Sequence, residues 1–203
     1  MTDAAQLIAR ARSMLRRKTL YWAGSGGVDP RAPDCTTPLE VGRQWPGLPA
    51  SQRAELAPLA QAAGLDLNDP TLVLPACDCS GFVCWALGIP RRTAAGEWIN
   101  TDSIWADAKG AQRGFLLRAQ AAAGDLVVYP KPADAKYGHV GIVTEVDGAG
   151  RATRVLHCSA LNFALAPAGD AIRETAPAVF AQQAASVYCQ PKTSLAAMVS
   201  GRM

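Results

Sequence analysis

The spacing of apolar positions changes several times along this chain, and each change marks an element. Over residues 3–17, Leu7, Ile8, Ala11, Met14 and Leu15 recur at the three-to-four spacing of a helix with one buried stripe. Thr2 or Asp3 can cap its first turn. Residues 21–27 (YWAGSGG) interrupt the pattern with glycines. Residues 79–88 (CSGFVCWALG) are apolar all round, which predicts a buried helix ending at Gly88, with Pro90 as a stop just beyond. A second short helix is expected after Thr101. From there the pattern turns to β-branched runs bounded by Gly and Pro: GDLVVYP at 124–130, GHVGIVTEV at 138–146 and RVLHCS at 154–159. Asp147-Gly148 supplies the turn of a hairpin between the last two.

Between the glycine turn and the apolar helix, residues 28–76 hold many of the prolines and little strand pattern, with one short helix expected at about 51–63. A long irregular segment inside a compact domain is unusual and often functional. Helices followed by a run of strands predict an α+β fold with an antiparallel sheet. The length of 203 residues fits a single domain spanning 1–203, with 28–76 as an insertion. No internal repeat is present.

Composition narrows the function. Apolar residues are 49% of the chain and charged residues 18%, so a core can form and disorder is excluded. Net charge is +3, too small an excess for a nucleic-acid binder. The basic cluster Arg10, Arg12, Arg16, Arg17 and Lys18 reads as the solvated face of the first helix, with contact to an anionic polymer as the alternative. No segment reaches the roughly 18 apolar residues that cross a bilayer, so no membrane contact is expected. The first residues lack the order of a secretory signal, in which charge precedes an apolar run. The expectation is synthesis in the cytoplasm, with action in a periplasm or wall after lysis or injection. Six cysteines are about 3% of the chain, under the roughly 8–10% of disulfide scaffolds. Most are expected as free thiols, with a Cys35–Cys77 bridge open in an oxidising compartment.

The chemistry concentrates in a few residues. The chain has two histidines, His139 and His157, one on each strand of the expected hairpin. Strands in a sheet lie ~4.8 Å apart, so the two imidazoles can share a face. Cys79 opens the apolar helix in Asp78-Cys79-Ser80-Gly81. Free N–H groups and the helix dipole favour a thiolate there, and an adjacent imidazole activates it. Taken alone, a cysteine such as Cys79 is more often a buried structural thiol, the role expected of Cys84 and Cys158.

DCSGFV, GDLVVY, YGHVGIVTEV and VLHCSA, in that order, resemble the NlpC-type cell-wall cysteine peptidases of the papain-like superfamily. The resemblance covers about residues 77–160, and also residues 21–27. It implies a papain-like fold with the nucleophile helix packed on a central antiparallel sheet. It implies Cys79 as nucleophile, His139 as base and His157 as the residue orienting His139. It implies Tyr21, Asp78 and Ser80 as the group holding the free amino end of a peptidoglycan stem peptide, cut at a γ-D-glutamyl bond to a diamino acid, without a metal or other cofactor. The long separation of Tyr21 from Cys79 departs from the family pattern. Rival readings are a cysteine-dependent amidase or transacylase on another substrate, an inactive binding module, and a zinc site using Cys77, Cys79, Cys84 and a histidine. Phage lysis enzyme, injected toxin with an immunity or inhibitor protein, and recycling enzyme all fit the sequence.

Overall fold

The computed structural model describes residues 3–135, 137–165 and 168–192. In chain order the elements are α1 (Ala4–Arg12), β1 (Leu20–Tyr21), β2 (Thr37–Leu39), α2 (Val41–Gln44), α3 (Ala50–Ala62), β3 (Leu74–Cys77), α4 (Cys79–Ala86), α5 (Thr101–Lys109), β4 (Phe115–Arg118), β5 (Leu126–Tyr129), β6 (His139–Val146), β7 (Ala152–Cys158), α6 (Ala160–Ala164), β8 (Ile172–Thr175), α7 (Ala178–Ala181) and β9 (Val187–Pro191). Six strands form an antiparallel sheet in the order β4-β9-β5-β6-β7-β8. A small second sheet, β1-β3-β2, pairs β1 parallel to β3.

The central strands are buried on both faces, which is why they read as continuous apolar runs. Alternate residues nevertheless serve different cores. Leu126, Val128, Val140, Ile142 and Leu156 face the larger core with Phe82, Val83, Trp85 and the rest of α4. Val127, Tyr129, Val143 and Val155 face a smaller core around Phe180 on α7. In the first, as expected of the helix packed on the central antiparallel sheet, the helix that begins at Cys79 lies against β6 and β7. Burying α4 on every side, as all eight of its residues are, contributes about 1.5–3 kcal/mol for each of its large apolar side chains.

The expected elements appear at their places, with two shifts. The first helix stops at Arg12 and continues as turns, so Met14 and Leu15 pack from outside it, and Asp3 is the residue that caps Ala5 N–H. The segment 28–76 is less irregular than its prolines suggest. It carries β2, α2, α3 and most of β3, and α3 docks on α6. Three strands carried too little pattern to be expected. These are β4, with one buried residue in four, β8 and β9, the last of which enters the middle of the sheet.

Candidate active site

The loop before α4 is built around close backbone approach. Asp78 caps α4 by accepting from Gly81 N–H at 2.7 Å. A methyl group on Gly81 would sit 2.7 Å from both Arg91 Nη1 and Ser25 O. Only glycine there lets the turn at residues 24–27 lie across the helix start. From that turn, Gly27 (φ +67°) presses back on Gly81, a methyl on it falling 2.3 Å from Gly81 O. Arg91, 2% exposed, ties the pieces together. It donates to Ser25 O (2.9 Å), Gly26 O (3.2 Å), Asp78 Oδ2 (3.0 Å) and Ser80 Oγ (2.8 Å), and it stacks on Trp98.

Two consequences follow for the residues expected to bind substrate. Asp78 already accepts four bonds, from Gly81 N–H, Ser80 Oγ–H, Gly24 N–H and Arg91. Its charge is answered inside the protein, which leaves it no free lone pair directed at a substrate ammonium. Ser80 is buried and bonded to the same guanidinium. Of the three, Tyr21 is the one that lines an open cleft.

The histidines sit on the other wall. His139 Nε2 lies 2.7 Å from His157 Nδ1, and His157 Nε2 lies 2.9 Å from Thr175 Oγ1. The protons can be assigned from the end of this chain. Thr175 gives its hydroxyl hydrogen to Ala176 O at 3.0 Å, so its oxygen accepts from His157 Nε2–H. Asn162 spends its amide hydrogens on His157 O and Ala171 O, both at 3.1 Å. His157 Nδ1 is then bare and accepts from His139 Nε2–H. The remaining nitrogen, His139 Nδ1, is left with a lone pair, as a general base requires.

Packing fixes these rings. Phe180 stacks on His139 at 5.1 Å and meets His157 edge-on at 5.6 Å. Gly141 passes beneath them, where a methyl would stand 3.0 Å from His157 Cβ and 2.5 Å from Val155 Cγ1. Burial holds His139 well below the ordinary imidazole value, with the neighbouring His157 adding to the effect. Burial alone pushes His157 down to about 4. Both rings are therefore neutral near pH 7.

Cys79 is 4% exposed. Its sulfur lies where the N–H groups of Ser80 and of Val140, the residue after His139, favour its ionised form. Tyr21 and Tyr129, which border the cleft and the His139 ring respectively, both sense its charge. Among the described residues no hydrogen bond joins the thiol directly to His139. Catalytic contacts of this kind often tighten only when substrate is bound. The expected low thiol pKa is corrected here. Burial, and then the Asp78 carboxylate, push Cys79 up to about 12 and outweigh Val140, Ser80 and Arg91. The resting pair is a thiol with a neutral imidazole.

All six cysteines are free thiols. Cys35 and Cys158 both flank the Cys77 sulfur, so the Cys35–Cys77 pair is adjacent and reduced. Among the described residues no three His, Cys, Asp or Glu side chains converge as metal ligands. None of their helices is long and apolar enough to cross a membrane.

One family model covers the helix start at Cys79 and the hairpin that carries the two histidines. Residues 73–158 match the CHAP domain. This is a family of cysteine- and histidine-dependent amidohydrolases and peptidases, related to the NlpC-type and other papain-like peptidases. The match takes in Asp78, Cys79, Ser80, His139 and His157, and leaves residues 1–72, with Tyr21 and nearly all of the insertion, outside it. It supports a hydrolase, a coarser statement than the NlpC type. Solved structures similar to this chain include the crystal structure of Ly7917 and the crystal structure of Ly7917 with the hydrolyzing product of MDP. Each is 20% identical over 56% of this chain and 53% of its own, with TM-scores of 0.34 and 0.33. The aligned part thus spans about half the length of those proteins. Curated proteins gave no significant match.

Sequence reasoning missed Arg91, Thr175, Asn162 and Phe180. Arg91 directly follows the apolar helix and its Pro90 stop, a charge where the chain is still buried, and that was the available signal. Phe180 and Thr175 lie in short C-terminal elements with no pattern to single them out.

Proposed function

We propose that this protein is a cysteine hydrolase that cuts an amide bond in peptidoglycan stem peptides, with Cys79 as nucleophile, His139 as base and His157 as the residue that positions it. The observation that carries this reading is the His139–His157–Thr175 relay, which leaves Nδ1 of His139, a residue lining the cleft, with a lone pair. On binding, the Cys79 S–H proton passes to that nitrogen as sulfur attacks the carbonyl carbon. The N–H of Cys79, at the first turn of α4 where no carbonyl lies four residues back, stabilises the oxyanion. The imidazolium then protonates the leaving amine, and the acyl group stays on sulfur as a thioester. Water, giving its proton to His139, releases the acid and restores the thiol.

The γ-D-glutamyl bond to a diamino acid remains the first bond to test. With Asp78 and Ser80 engaged by Arg91, recognition of the free amino end rests on Tyr21 and the cleft walls. Incubation with purified muropeptides, with product masses read out, tests the reading. Cleavage of one amide bond by the native protein and none by Cys79→Ala is the expected result. Equal cleavage by that variant rules the nucleophile out.

A further inference from the structure

The cleft beside His139 has a volume of about 430 Å³. Tyr21, Trp22, Tyr137 and the segment from Ser159 to Leu161 form one side of it. The insertion forms the other, through Gln44, Leu48, Gln52, Glu55 and Leu56. The insertion is thus a wall of the site, held there by α3 on α6. Among the described residues, Glu55 is the one carboxylate lining the cleft, and no lysine or arginine lines it; His139, whose ring burial keeps neutral near pH 7, is the other titratable base there. It is exposed, and among the described residues no ion pair or hydrogen bond engages it. Apart from His139, the other described lining groups are neutral amides, hydroxyls, aromatic faces and aliphatic side chains, which hold an extended peptide but leave its charge to Glu55.

We propose that Glu55 makes the insertion a cation-selecting wall, so that the substrate segment lying across the cleft from His139 carries a primary ammonium with no carboxylate beside it. The mono-cationic side chain of a diamino acid fits this description. A diamino dicarboxylic side chain would bring its own carboxylate against Glu55 and lose most of the attraction. The identity of the peptide rests on the proposed function; the charge selection of the wall does not.

The test therefore has two arms. In the first, Cys79 is labelled with methanethiosulfonate reagents carrying an ethylammonium or an ethylsulfonate group, and the labelled peptide is identified by mass to separate it from the five other thiols. One charge in a solvent-open cleft changes each rate by about threefold, in opposite directions for the two reagents. The cation-to-anion rate ratio is expected to fall about tenfold in Glu55→Gln and to stay unchanged in Glu97→Gln, a surface carboxylate outside the cleft. An unchanged ratio in Glu55→Gln overturns the proposal. So does an equal fall in Glu97→Gln, or failure of Cys79 to react with either reagent. In the second arm, stem peptides with a free or an acetylated lysine-type side chain are compared. The native protein should favour the free amine through KM, and Glu55→Gln should lose that preference. If the first arm succeeds and no stem peptide is cut, the proposed function fails while the cationic wall stands.

Discussion

Arg91 Nη2 lies 3.0 Å from Asp78 Oδ2, with the two side chains 2% and 8% exposed. This buried pair sits at the start of α4, next to Cys79. It fixes the turn at residues 24–27, the cap of α4 and the Ser80 hydroxyl in one network, and it decides which groups are left for substrate. The carboxylate that the resemblance offers to a substrate ammonium is here the cap of α4 and a structural anion. The rim of the cleft must do the recognising.

Removing one partner of such a pair strands the other charge. Arg91→Met should cost about 3–5 kcal/mol of stability, measured by denaturant unfolding. Asp78→Asn combined with Arg91→Met should recover part of that loss, since no unpaired charge then remains. A single variant that unfolds like the native protein would show that the pair is not closed in solution.

The relay gives a graded expectation for activity. Cys79→Ala should remove turnover and leave the far-UV spectrum unchanged. His157→Ala should lower kcat by about 10–100-fold, the range typical of a group that orients another. Thr175→Val, which removes the last acceptor, should lower kcat by about tenfold with KM unchanged. His157→Asn, which keeps an acceptor oxygen toward His139 Nε2–H, should recover activity relative to His157→Ala. If His157→Ala abolishes turnover as completely as Cys79→Ala, His157 takes part in the proton transfer itself.

The strongly patterned elements were legible and the network between them was not. The helix at 79–86, the hairpin carrying His139 and His157 and the antiparallel sheet follow from apolar runs and turn residues, because burial on two faces writes itself into all of β5 and the first six positions of β6. The sequence also placed Cys79 at a helix start. It could not weigh the two opposed effects on the thiol, since dipole and N–H groups are local while burial and the Asp78 charge depend on the fold. Arg91 enters the site through a cluster of hydrogen bonds and Thr175 from a distant segment through its bond to His157, and such contacts have no periodicity. The insertion lost its strand signal to its prolines, yet β2 accepts Pro38 because it is an edge strand, where a missing donor costs little.

Gly81 offers a test of close packing at the nucleophile. A methyl there meets Arg91 Nη1 and the carbonyl oxygens of Ser25 and Gly26 at 2.7–2.8 Å, and two of these three are backbone atoms that cannot swing aside. Overpacking of this kind costs about 1–3 kcal/mol. Gly81→Ala should therefore unfold at lower denaturant and lose activity, although alanine favours a helix. A stabilised variant would mean that the turn at 24–27 does not lie on α4.

The neutral histidines predict how stability depends on pH. In the unfolded chain His157 takes up a proton near 6.5; in the fold, burial delays this until about 4. Between those values the unfolded state binds more protons, so stability rises with pH and is lost as pH falls from about 6.5 to 4. At 1.36 kcal/mol per pH unit the loss from His157 alone is about 3 kcal/mol. His139, also held low by burial, acts in the same direction. Asp125 and Asp170 act against it, since burial raises their carboxyls and the fold then gains a proton before the unfolded chain does. A comparison of variants separates these effects. Denaturation midpoints taken at pH 7.5 and 4.5 should fall markedly for the native protein and less for His157→Gln. Parallel falls would mean that His157 is already protonated in the fold. Its Nδ1 could not then accept from His139, and the lone pair assigned to His139 Nδ1 would have no basis.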